Sequence, residues 1–133
     1  MPLLDHVGVK VTDLDRSIEF YHELFGFEMV DRRMLGNSKV EAAAMQVGGS
    51  ILFLLNAPGF TSHAPEEVGG VDHFCLTFSD TEFRDILGRM KTMGVKLEGG
   101  VAPRTGATGR SDSQYIFDLD NNRIEVKTDG SGA

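Results

Sequence analysis

One ten-residue unit occurs twice in this chain. Leu4-Asp5-His6-Val7-Gly8-Val9-Lys10-Val11-Thr12-Asp13 is matched by Val71-Asp72-His73-Phe74-Cys75-Leu76-Thr77-Phe78-Ser79-Asp80 at a constant offset of 67 residues. The first Asp, the His and the closing Asp are identical, Ser79 answers Thr12, and the apolar positions keep the same phase. Self-similarity of this kind marks a repeated supersecondary unit, so the chain must fold as two copies of one small module. Each copy alternates like a strand and ends in a helix-start signal.

After Asp13 the apolar residues Leu14, Ile18, Tyr21 and Phe25 recur at helical spacing, and Gly26 stands where a left-handed cap is expected. After Ser79 the pattern returns in Phe83, Ile86, Leu87 and Met90, ending near Gly94, and Ser79 with Glu82 fits a capping box. Three strand-like runs follow the first helix, near 27–35, 39–47 and 50–55, punctuated by Gly36-Asn37 and Gly48-Gly49. After the second come a short run near 95–98, a loop containing Gly and Arg, and runs near 113–118 and 123–128. Each half therefore reads βαβββ, and the fold class is α+β. The expected organisation is a single domain over 1–133: module 1 about 1–56, a Pro- and Gly-containing linker about 57–69, module 2 about 70–128, and a frayed tail over 129–133.

Composition narrows the function. With 133 residues and 41% apolar content the chain can bury a core without staples, and Cys75, the single cysteine, excludes a disulfide framework. The lone thiol and the absence of a leader suit a reducing cytoplasm. The longest apolar run, Ile51 to Leu55, is far shorter than a bilayer span of about 20 residues. A net charge of −7 repels phosphate backbones, so nucleic acid is excluded as a partner.

His6 and His73 occupy equivalent positions in the repeat. A single strand histidine is most often only tolerated there, but duplication weakens that reading. Glu125 lies in the last strand, and alternation puts it with Arg123 and Lys127 on the face opposite Ile124 and Val126. Periodicity alone reads that face as solvated. Two imidazoles and a carboxylate are also the set that binds Zn²⁺, Fe²⁺ or Mn²⁺ while leaving positions open for substrate. Cys75 shares the face of His73.

Leu4 to Val11, with Ser17-Ile18-Glu19-Phe20-Tyr21, Leu24-Phe25-Gly26-Phe27, Val71-Asp72-His73 and the closing Tyr115 to Val126, resembles the vicinal oxygen chelate superfamily. That group includes glyoxalase I, fosfomycin-resistance enzymes, extradiol dioxygenases and bleomycin-resistance proteins. The resemblance covers nearly the whole chain. It implies paired βαβββ modules whose curved sheets enclose a metal cleft, with ligand positions at His6, Phe53, His73 and Glu125. Phe53 departs from the pattern, because a phenyl ring cannot ligate. The remaining His, His, Glu set is similar to that of the fosfomycin-resistance enzymes and implies one divalent ion, Zn, Fe, Mn or Ni.

The same resemblance implies further roles. Arg104 and Arg110, in a Gly-rich loop, can close over an anionic substrate or simply lie on the surface, and Phe53 would line the pocket. Tyr115 can hydrogen-bond near the metal or merely pack. Glu41 falls near, without matching, a carboxylate proposed as general base in an epoxide-hydrolysing relative, and otherwise is an exposed edge charge. The implied protein is a homodimeric, metal-dependent lyase or isomerase that acts on a small oxygen-rich substrate through metal-stabilised oxyanion chemistry. The alternatives are an epoxide-opening transferase or hydrolase, an extradiol dioxygenase, and a metal-free drug-binding protein. The site lies within one chain or is shared across a dimer.

Overall fold

Each half is built in the predicted order of strand, helix and three strands. In the computed structural model, which describes residues 2–35, 39–61 and 70–132, the chain divides into two compact units, Met1–Ser62 and His63–Ala133. The first contains β1 (His6–Val11), α1 (Leu14–Phe25), β2 (Glu28–Met34), β3 (Glu41–Val47) and β4 (Ser50–Asn56). The second contains β5 (Phe74–Phe78), α2 (Asp80–Met93), β6 (Leu97–Gly106), β7 (Gly109–Phe117) and β8 (Arg123–Thr128). The predicted Gly36-Asn37 punctuation and most of the expected linker lie outside the described residues. Among the described residues no helix is long and apolar enough to cross a membrane.

Both helices begin and end as their sequences dictate. Asp13 accepts a hydrogen bond from the Arg16 amide, and Ser79 and Glu82 form the reciprocal capping box, each cap being worth about 1 kcal/mol. Gly26 and Gly94 close the helices at φ 75° and 67°, a region a side chain disfavours.

The two sheets share one topology, β1-β4-β3-β2 and β5-β8-β7-β6, with the first and last strands of each unit paired in parallel and the rest antiparallel. In unit 1 the register sets Met45 opposite Leu52 and Ala43 opposite Leu54, and this buried face packs under α1 through Leu14, Phe20, Tyr21 and Leu24. In unit 2 the equivalent face carries Leu76, Ile116, Ile124 and Val126 under Phe83, Ile86 and Met90 of α2.

Two expectations need correction. The Gly- and Arg-containing loop is not a loop: β6 runs on to Gly106 and β7 begins at Gly109, so Arg104 and Arg110 stand on the two arms of a hairpin. β6 reaches this length because an irregularity between Glu98 and Ala102 absorbs the glycines there. The Gln114 amide donates to the Glu98 and Gly99 carbonyls at 3.2 and 3.1 Å, satisfying backbone that the ladder leaves unpaired. The tail to residue 132 is also anchored. The Asp80 amide donates to the Ser131 carbonyl at 2.7 Å, and the Asp129 amide to the Phe78 carbonyl at 2.8 Å.

Candidate metal-binding site

β8 is the central fact of the second unit. Ile124 and Val126 point into the core, so Arg123, Glu125 and Lys127 share the other face. Register sets Cys75 and Tyr115 beside Glu125, and Ser113 beside Lys127. This charged face is not solvated: Glu125 is 6% exposed and Lys127 1% exposed.

His73 Nε2 lies 3.3 Å from Glu125 Oε1, and the other Glu125 oxygen, Oε2, is buried with no hydrogen-bond partner among the described residues. A buried polar atom left unpaired costs about 1–3 kcal/mol, and more when charged. His73 Nδ1 lies 2.7 Å from Asp72 Oδ2, which leaves Nε2 as the nitrogen directed at Glu125. The Asp72 carboxyl is held below its ordinary range, first by His73 and also by the Arg123 charge.

Tyr115 packs edge-on against His73, with 5.1 Å between ring centres. The Arg123 and Arg104 guanidiniums lie 3.9 and 4.8 Å from its ring centre. Burial, then the Glu125 charge, pushes the phenol above its ordinary pKa, so at neutral pH Tyr115 is a hydrogen-bond donor and not a base. Cys75, though exposed on one side, is likewise pushed up, to about 11, by the protein packed around its thiol and then by Glu125, and stays a thiol.

Arg104 Nη1 donates to the Ser113 carbonyl at 2.6 Å and to its hydroxyl at 3.0 Å. Among the described residues no carboxylate pairs with Arg104. Arg110, six residues on, falls on the opposite face of β7 from Tyr115 and Ser113. Lys127 Nζ donates to the Gly109 carbonyl at 2.9 Å and to the Ser111 hydroxyl, pinning the hairpin.

In the first unit, His6 lies edge-on to Phe53, with 5.2 Å between ring centres, and its Nδ1 is 2.6 Å from Asp5 Oδ1. Both histidines of the repeat thus have Nδ1 engaged by the preceding aspartate. Glu41 sits on the other face of that sheet, in register with the residues packed under α1. There it receives Arg32 through both oxygens at 3.2 and 3.3 Å, while Arg32 also donates to Asp15 of α1 at 2.6 Å.

The structure therefore brings His73, Glu125, Tyr115 and Arg104 onto one face of the second unit, while His6 and Phe53 belong to the first. Among the described residues no group of three or more His, Cys, Asp or Glu side chains could by itself hold an ion. Sequence reasoning puts Arg123 and Lys127 on this face but reads the face as solvated, and it misses Asp72 and Glu98 as members. The aspartate is signalled by its recurrence before both histidines; Glu98 carries no such signal.

A family model described as the Glyoxalase/Bleomycin resistance protein/Dioxygenase superfamily matches residues 3–126, and the chain belongs to that superfamily. It is 31% identical over 124 residues to the virulence protein STM3117 of Salmonella typhimurium, covering 92% of this chain and 81% of that one. It is 33% identical over 127 residues to a trivalent organoarsenical cleaving enzyme of a Bacillus species, covering 90% and 69%. Among solved structures, it superposes with a TM-score of 0.74 at 19% identity on a mutant of the fosfomycin resistance protein FosX from Listeria monocytogenes, covering 98% and 94%. That structure is described as complexed with Mn(II) and a dihydroxypropylphosphonic acid. The fold is accordingly α+β, with two four-stranded mixed sheets.

Proposed function

We propose that this chain is a divalent-metal-dependent enzyme of the glyoxalase type, a lyase or isomerase acting on a small, oxygen-rich, anionic substrate. The observation that carries the reading is Glu125 Oε2, a buried carboxylate oxygen without a partner among the described residues, beside an imidazole nitrogen. A metal-free binding protein has no use for such a group, whereas a cation satisfies it. His73 and Glu125 fit a Zn²⁺, Mn²⁺, Fe²⁺ or Ni²⁺ ion, and His6, from this chain or from a second copy, is the third ligand. When bound, such an ion polarises substrate oxygens and offsets negative charge that develops on them.

The chain's own side chains supply the rest. Tyr115, held protonated, donates a hydrogen bond to a substrate oxygen. Arg104, charged and without a carboxylate partner among the described residues, takes the anionic group, and Phe53 gives an apolar wall. Glu41, engaged with Arg32, maintains the fold of its own unit. A homodimer accounts for the exposed Met29, Val30 and Met34 of the edge strand β2 and for Leu97 and Val101 of β6.

A second reading, epoxide opening, is favoured by the Arg104 cation, which has no carboxylate partner among the described residues, on the face of the ligand pair, and by the phosphonic acid in the FosX structure. The test is metal analysis of protein purified without added metal, followed by a panel of small hydroxy-, keto- and epoxide-bearing carboxylates and phosphonates. We expect about one divalent ion per chain, lost in His73→Ala and Glu125→Gln, and turnover of an anionic member of the panel. A wild-type protein that takes up none of these ions overturns the reading.

A further inference from the structure

Both ring nitrogens of His73 face a carboxylate, Nδ1 that of Asp72 at 2.7 Å and Nε2 that of Glu125 at 3.3 Å, and the one that faces away from Glu125 is the better held. Asp72, which engages Nδ1, is 71% exposed, and a solvent-facing carboxylate on a single contact would rotate freely. This one is clamped. Arg123 Nη1 donates to the same Asp72 oxygen at 2.6 Å, while Arg123 Nε donates to Glu98 Oε2 at 2.6 Å. The guanidinium plane also lies over Tyr115. A planar fork that reaches two carboxylates and one aromatic face has little freedom left. Arg123 precedes Glu125 by two residues on one strand, so the segment that carries the carboxylate also carries the group that fixes the histidine. The first repeat lacks this clamp: Asp5 is 89% exposed, and among the described residues no guanidinium pairs with it.

We propose that Arg123, anchored on Glu98 and Tyr115, holds Asp72 as a positioning carboxylate that keeps the His73 proton on Nδ1 and presents Nε2 as a lone-pair donor. A neutral imidazole carries one N–H, and metal-binding histidines almost always give theirs to an outer carboxylate, carbonyl or water. The identity of the ligand that Nε2 meets rests on the proposed function. The tautomer does not, because it belongs to the metal-free protein.

The experiment uses this whole chain, metal-free, with ¹⁵N-labelled histidine, read by two-bond ¹H–¹⁵N correlation on the alkaline plateau where the ring ¹⁵N shifts no longer change with pH. Wild type should show His73 as the Nδ1–H form, and Asp72→Ala and Arg123→Gln should shift it toward Nε2–H. Asp72 is exposed, so Asp72→Ala tests the relay even if Arg123→Gln fails to fold. In parallel, Mn²⁺ affinity by titration calorimetry should fall about 10–100-fold in Asp72→Ala. An Nε2–H form in wild type, or an unchanged tautomer in Asp72→Ala, overturns the relay. So does an Mn²⁺ affinity in Asp72→Ala within twofold of wild type. If wild type binds no Mn²⁺ but Asp72→Ala shifts the tautomer, the relay stands and the metal reading fails.

Discussion

Replacing Glu125 with glutamine separates the cost of a buried charge from its use. Glu125 is 6% exposed and has one oxygen unpartnered among the described residues, which puts the cost to the metal-free protein at about 1–3 kcal/mol at this residue. Glutamine keeps the shape and removes the charge. In EDTA, Glu125→Gln should therefore unfold no earlier than wild type and be more stable by up to about 2 kcal/mol. With metal the order reverses. A ligand at about 100 times its Kd stabilises the folded state by about 2.7 kcal/mol, which raises the melting temperature by roughly 5–20 °C, depending on whether the two units unfold together. Wild type should show that rise with Mn²⁺ or Zn²⁺, and Glu125→Gln should lose most of it. Circular dichroism melts in EDTA and in excess metal make the comparison. The reasoning is refuted if metal raises both proteins equally, or if Glu125→Gln in EDTA unfolds measurably earlier than wild type.

Other expectations follow from the same geometry. Glu41→Gln should leave metal content and turnover intact and cost at most about 1 kcal/mol, since its ion pair with Arg32 is partly solvated; loss of turnover at constant metal content would make Glu41 a base. A Cβ on Gly106 would approach the buried Lys127 Cε to 3.2 Å, so Gly106→Ala should cost about 1–3 kcal/mol in urea unfolding, and a neutral result would show that the lysine stem can yield. The Ser131 amide lowers the Asp129 carboxyl below its ordinary 3.8. Its contribution is present above that value and is lost as pH falls through the lower folded one, so exchange of the Asp80 amide, bonded to Ser131, should accelerate there and not at pH 6. Sedimentation at micromolar concentration should show a dimer, and a stable monomer with metal bound would contradict it.

The repeat and the caps made most of the fold legible. The last strand was placed at 123–128, and alternation put Arg123, Glu125 and Lys127 on one face. Alternation assigns a face but not its burial, so a solvated surface remained the simpler reading until Glu125 and Lys127 proved enclosed. β6 was underestimated because Gly99, Gly100 and Pro103 argue against a strand. An edge position tolerates proline, and the Gln114 amide meets the carbonyls the irregularity leaves free. The tail is anchored by backbone groups, which carry no side-chain signal. The role of Asp72 depends on Arg123, fifty-one residues away, and nothing local announces that pairing.

Each sheet is completed by a parallel pair between its first and last strands, and this sets an order of assembly. Phe74 pairs with Ile124, and Cys75 with Glu125, so β5 waits for nearly the whole unit to be synthesised before its neighbour exists. Contacts so distant in the chain form late, after the local hairpin and helix. Until then β5 has neither flank paired, and His73 stands without Glu125. The carboxylate arrives on the one strand that pairs with β5, so the proposed ligand pair exists only once that last parallel pairing has formed.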